Sequence, residues 1–321
     1  MALTLVEASK YSNDVLQRGV IELIVKDDPI LSRLQFKDIK GNGLTYDVEA
    51  TMSTAEFRSP GDTWTESTST VTQHTAHTKI LGGDADVDNY TEQTRGDKQS
   101  LMAEQIEAKT KAIRHTFLNT VFYGDATTES NRFDGLHQLI DSATYNTVAV
   151  GSGSGTPAAL SMTKIEEILD MILDGKADVL VMTKLMRRSI NTYLKAVGGI
   201  TYEQSANGSV QKIQETTVVV SDFLSNSESC DQLYGSTYGH NPSDGTGLGD
   251  NDASTSIFAL QFGAKAFCGV QSQGITTEKF KKLETKDASR TRIKWYPGIM
   301  LQSIISCTKL TGISPTGTVT A

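Results

Sequence analysis

The residues in this chain that could do chemistry are few and scattered. His74 and His77 stand three apart. That spacing puts two imidazoles on one side of a helix but on opposite faces of a strand. No third His or Cys and no well-placed Glu joins them, so a zinc site there is not expected. Gly245, Gly247 and Gly249 imitate a dinucleotide fingerprint, which needs a strand before it and a helix after it; the flanking residues suggest neither. Asp244, Asp250, Asn251 and Asp252 gather hard oxygen ligands of the kind calcium takes, without the twelve-residue loop and its closing Glu. Cys230, Cys268 and Cys307 lie far apart, with neither metal-like nor redox-pair spacing, and read as buried thiols. A phosphate loop ending in Gly-Lys-Ser/Thr and a Gly-x-Ser-x-Gly elbow are both missing. The expectation is a protein with no catalytic residues, no metal and no cofactor.

Composition bounds the class of protein. The 321 residues can bury a sizeable core, yet apolar content is only 38% and the chain holds 27 glycines against 6 prolines. The net charge of −8 argues against a dedicated nucleic-acid binder, whose affinity rests on Lys and Arg. No basic segment followed by an apolar run opens the sequence, and no stretch is long and apolar enough for a membrane span, so a soluble product that stays in its cell is expected.

The elements that would position any site are easier to read. Apolar residues at 15–24 cover more than one face of a helical pattern, as in a segment buried against another chain, and the pattern breaks at Asp28-Pro29. Leu44, Tyr46, Val48 and Ala50 alternate with polar residues, and a threonine-rich return follows at 70–81. Between them, only Phe57 and Trp64 are large and apolar, so this hairpin cannot pack a core alone. A long helix is predicted over 97–123, capped by Asp97. Leu101, Met102, Ile106, Ile113, Phe117 and Val121 form its single buried stripe, and Gly124 ends it in a left-handed conformation. His115 on that helix reads as surface or interface. The Gly- and Ser-rich run at 151–157 marks a hinge. Beyond it come a helix at 163–175 with a Thr163/Glu166 capping box, a strand at 177–182, a helix at 183–197 closed by Gly198-Gly199, and a strand at 216–221. A polar loop spans 225–255. Strands are predicted at 256–262, 267–272, 276–283, 290–296 and 299–307.

The run Phe122-Tyr123-Gly124-Asp125, with Phe133, Gly135 and Leu136 after a polar loop, closes the long helix. This signature and the order of elements resemble the major capsid proteins of tailed double-stranded DNA bacteriophages. The resemblance implies an α+β capsid fold, divided into an N-terminal arm (1–39), an extended β-hairpin loop (40–88), a peripheral domain with the spine helix (89–150), an α/β axial domain (151–272), return strands of the peripheral domain (273–296), and a final axial strand with the C-terminal tail (297–321). It implies a subunit that self-assembles through pentamers and hexamers into an icosahedral shell. Its arm and hairpin would reach onto neighbours and its axial domain would surround each capsomer axis. The shell would enclose DNA without sequence-specific binding, be assembled in the host cytoplasm and reside in the virion. Implied partners are other copies, a portal, a decoration protein in some members, and a scaffold; the opening Met1 and the absence of heptads favour a separate scaffolding protein. Some members weld their shells through a lysine of the hairpin, but 41–78 holds no lysine and Arg58 is its basic group, so that crosslink is not expected. Two alternatives are an α/β enzyme with a metal or nucleotide site in 160–260, and a nanocompartment shell of the same fold.

Overall fold

The computed structural model describes residues 3–4, 16, 19–20, 24, 28–51, 53–95, 101–141, 146–150, 157–172, 175–199, 201–205, 208–229, 253–280, 283 and 286–320. The strands are β1 (Leu3–Thr4), β2 (Gln35–Asp38), β3 (Gly43–Thr51), β4 (Thr70–His77), β5 (Leu81–Asp88), β6 (Thr147–Ala149), β7 (Val179–Met182), β8 (Thr201–Ser205), β9 (Gly208–Ile213), β10 (Thr216–Val220), β11 (Glu228–Ser229), β12 (Ala253–Leu260), β13 (Phe267–Phe280), β14 (Ala288–Leu301) and β15 (Cys307–Ile313). The helices are α1 (Asn89–Arg95), α2 (Leu101–Tyr123), α3 (Leu136–Asp141), α4 (Met162–Asp170) and α5 (Lys184–Val197).

Among the described residues, these strands form three sheets. One runs β1-β2-β13-β14-β5. The second runs β6-β15-β12-β7-β10-β9-β8, with β11 attached to β12. The third is the hairpin β3-β4 alone. The helix α2 joins the first two. Its Phe117 ring lies 4.5 Å from Trp295 of β14, 5.7 Å from Phe133 and 6.2 Å from Phe36 of β2, all buried. Near its end, Phe122 sits 5.8 Å from Phe258 of β12. One core therefore runs from the first sheet along α2 to one face of the second. A second core fills the other face, under α4 and α5, with Ile165, Ile168, Met186 and Ile190 buried against Leu180, Ile257 and Leu310.

Several sequence expectations change. The single stripe on α2 holds at Ile106 and Ile113, but Phe117, Leu118, Thr120, Val121, Phe122 and Tyr123 are all buried, because the helix end is wedged between two sheets. Leu101 and Met102 are half-buried, and Asp97 lies outside the described residues. Gly124 does not adopt a positive φ. Its requirement is space: a Cβ there would lie 2.1 Å from the Phe133 carbonyl oxygen. In the N-terminal segment, Val20 and Ile24 are helical and buried in the chain's own core rather than left for a neighbour.

The cap of α4 is Ser161, whose hydroxyl accepts from the Thr163 N–H, not a box at Thr163 and Glu166. Leu173 and the 151–156 part of the expected hinge lie outside the described residues. Thr183 and left-handed Gly198 bound α5 as the sequence indicates. Residues 81–88 leave the hairpin and pair with β14 as a strand of the first sheet. The segments 267–272 and 276–283 merge into the single strand β13. The predicted 299–307 strand breaks at a 3-10 turn, Ile304–Ser306, so that 299–301 ends β14 and 307 opens β15. The strands β8 and β9 escaped the sequence reading, although Asn207-Gly208 between them is a hairpin signal.

Candidate assembly surface

The hairpin is anchored at its root and bare at its end. Tyr46, Leu44 and Ala76 pack with Ile39, Cys268, Val270 and Met300 in a small third core. Thr78 N–H donates to the Asn42 carbonyl, Lys79 N–H to that of Pro297, and Lys79 Nζ to that of Ser130 at 2.6 Å. The close approach requires glycine at 298, where a Cβ would lie 2.5 Å from the His77 carbonyl oxygen. Lys79 ties the root to the loop after α2. Within that loop, Asp125 accepts from the Thr127 N–H and hydroxyl and from the Thr128 hydroxyl, Asp134 accepts from Ala126 N–H, and Gly135 N–H reaches the Gly124 carbonyl. Burial alone would raise the Asp125 pKa, but these hydrogen bonds outweigh it and hold the carboxyl below its usual range. Thus the motif read from sequence is the bracket that carries the hairpin root.

Beyond the root, residues 53–75 are all exposed. Their order comes from local contacts. The Arg58 guanidinium lies 4.3 Å from the Trp64 ring centroid and donates to the Asp62 carbonyl. Trp64 Nε1 donates to the Glu56 carbonyl, and Ser67 Oγ bridges the Thr54 backbone. Phe57 and Trp64 stay exposed, at 108% and 65%. An exposed cation–π pair contributes about 0.5–1 kcal/mol, too little to fix an arm of this length.

His74 and His77 sit on β4 with exposed side chains, His74 beside Tyr46. Residues 230–252 lie outside the described residues and with them Cys230, Asp231, Asp244, Gly245, Gly247, Gly249, Asp250, Asn251 and Asp252. The free thiols of Cys268 and Cys307 are buried and pushed up by desolvation to about 11 and about 12, which leaves them unreactive. His115 packs edge-on to Phe223 at 5.1 Å in an open cleft of about 500 Å³, where Asp222 is engaged by Lys184. Among the described residues, no cluster of three His, Cys, Asp or Glu could hold a metal, and no helix is long and apolar enough to cross a membrane.

One group of functional side chains was missed from sequence. Tyr123 at the end of α2 donates its hydroxyl to Glu228, which also accepts from Ser256. The Tyr123 oxygen in turn accepts from Ser225 N–H at 2.8 Å. His137 stacks on Tyr123, with Nε2 3.6 Å from Glu228, and buried Lys309 donates to the His137 carbonyl. Burial, then the neighbouring Glu228 charge, holds the Tyr123 phenol well above its usual value. A phenol fixed in its protonated form is a donor that locks a carboxylate, not an acid–base catalyst at neutral pH. The lock pins β11 to the end of α2.

Residues 12–165, just under half of the chain, match the family model of Major capsid protein GP7. That span holds the hairpin, α2 and its bracket. This is the phage major capsid fold. Solved structures with that fold cover most of the chain on both sides. The capsid of a native GTA particle aligns with a TM-score of 0.59 at 9% identity, covering 90% of this chain and 90% of its own. A chain from Mycobacterium phage Bobi gives 0.57 at 11%, covering 88% and 89%. A holo-SrpI encapsulin from Synechococcus elongatus PCC 7942 gives 0.62 at 11%, covering 88% and 86%. No curated protein matches the sequence. At such low identity the capsid fold survives through its pattern of elements, while few individual residues are shared.

Proposed function

We propose that this chain is the structural subunit of an icosahedral phage shell, assembling with copies of itself through pentamers and hexamers around double-stranded DNA, without catalysis of its own. One observation carries the reading: an exposed arm whose Phe57 and Trp64 rings face solvent, anchored at its root and ordered beyond it by local contacts alone among the described residues. Large exposed aromatics on a polar arm are the anchors of an interface that forms elsewhere. Repeated head to tail, such a contact closes rings. The match to a major capsid protein family over the span that contains the arm supports the same conclusion, as does the capsid fold. Further partners in this reading are a separate scaffolding protein, a portal and a decoration protein, with assembly in the host cytoplasm.

The TM-score of 0.62 to an encapsulin favours a second reading, a nanocompartment shell. It keeps the same assembly physics and changes only the contents. Phe57→Ala with Trp64→Ala tests the interface. Sedimentation should show a loss of shells of tenfold or more, with an unchanged melting temperature of the free subunit. Shell yield equal to wild type contradicts the reading.

A further inference from the structure

The chain's negative charge is unevenly spread, and α5 carries the exception. Within Lys184–Val197 stand Lys184, Arg187, Arg188 and Lys195, with no Asp or Glu. Set against the chain's −8, the helix's +4 leaves −12 on the remaining residues. At about 100° per residue the four cations fall within an arc of roughly 100°, on the side away from buried Met186 and Ile190, along about 16 Å of helix. All four are exposed. Lys184 is engaged by Asp222. Arg187, Arg188 and Lys195 make no ion pair among the described residues. A helix surface of this kind would normally mix both signs, since unscreened like charges repel.

We infer that the outer face of α5 is a binding stripe for a nucleic-acid phosphate backbone, the wall's point of contact with enclosed DNA. This rests on the shell reading above. The stripe's form selects the partner. A folded acidic protein would require an apolar centre ringed by polar groups. Here the cations run in a line, and Val197 at the far end is the helix's one exposed large apolar side chain. A linear polyanion fits that line. Double-stranded DNA carries one charge per ~1.7 Å of axis, so the stripe spans about ten phosphates. Three uncommitted cations bind weakly and without sequence preference. Repetition over many copies in a shell would add up such contacts while each one still releases readily. Wall and genome would then touch at α5 and repel elsewhere.

Fluorescence anisotropy on the full chain, kept unassembled, with a labelled duplex of about 30 base pairs tests this across about 50–200 mM salt. Arg187→Gln/Arg188→Gln/Lys195→Gln should lower affinity at least tenfold and flatten the log–log salt slope by about 2.7. A control triple of exposed cations elsewhere, Lys111→Gln/Lys176→Gln/Lys265→Gln, should bind as wild type. Equal loss in both triples overturns the proposal, as does wild-type binding without salt dependence. So does tighter binding of an acidic peptide of equal charge, which would make the stripe a protein contact. Unchanged melting of the α5 triple checks its folding. Because binding is read on unassembled chain, a wild type that never forms shells counts against the shell reading and leaves this measurement intact.

Discussion

Tyr123 fastens the end of α2 to β11, and through β11 to the edge of β12 in the second sheet. Tyr123→Phe keeps the buried ring and removes the O–H that serves Glu228. A buried carboxylate left short of a donor costs about 1–3 kcal/mol. The expected result is a lower melting temperature of the free subunit and faster hydrogen exchange at 225–229; an unchanged melt would show that the hydroxyl is idle. Acid stability gives a second residue-level test. Arg292 beside Asp84 and Arg290 beside Asp86 hold both carboxyls below their usual 3.8. Their contribution is present above 3.8 and is lost as pH falls through the lower folded values. Asp28 has the opposite sign. Burial raises its pKa despite hydrogen bonds from Leu31 and Ile30, so its contribution is present below 3.8 and fades as pH rises through the raised value. Melting at neutral pH and near pH 3 should show a smaller acid loss in Asp84→Asn/Asp86→Asn than in wild type, and a larger one in Asp28→Asn. The same direction in both variants would contradict these assignments. Little at this scale was legible in the sequence. Glu228 sits in a polar stretch without periodicity, and nothing local marks Lys309 or His137 as buried; their environment is made by contacts more than 90 residues apart.

At the scale of elements the sequence said more. Helices with strong periodicity and good caps were readable, α5 best of all, because Thr183 and Gly198 bound it chemically. The 299–307 error has a physical origin. Apolar Ile304 and Ile305 continue the strand pattern, while the Ser306 hydroxyl bonds the Ser303 carbonyl and turns the chain there. The six-residue burial at the end of α2 was invisible for a similar reason, since a stripe predicts one partner surface and this helix has two. Two substitutions test the element. Phe117→Ala empties the space between Trp295, Phe36 and Phe133 and should cost about 3–5 kcal/mol, abolishing assembly through misfolding. Glu104→Ala, on the exposed side, should be silent. Gly135→Ala would place a Cβ 2.6 Å from the Gly124 nitrogen and 2.8 Å from the Phe122 carbonyl oxygen. It should open the bracket and loosen the hairpin root, seen as faster exchange at 76–79. Wild-type stability in Phe117→Ala or Gly135→Ala would refute the packing described.

For the whole molecule, the order of elements carried the fold, and the arm's poverty in apolar residues carried its reach. A hairpin that cannot bury itself has to be buried by something else. Hydrogen exchange at 53–69 should be fast in the free subunit and slow in the shell; equal protection would sink the idea that a neighbour covers it. With no lysine in 41–78, denatured shells should run as one band near 34.8 kDa, and linked rings that survive reductant would point to another lysine. The angle between copies is set by contacts made only on assembly. Negative-stain electron microscopy of the purified protein is therefore the most direct test of the central claim. Closed shells, or the rings and sheets that precede them, are the predicted result. A uniform field of monomers or dimers, under conditions where the chain is folded and concentrated, would contradict it.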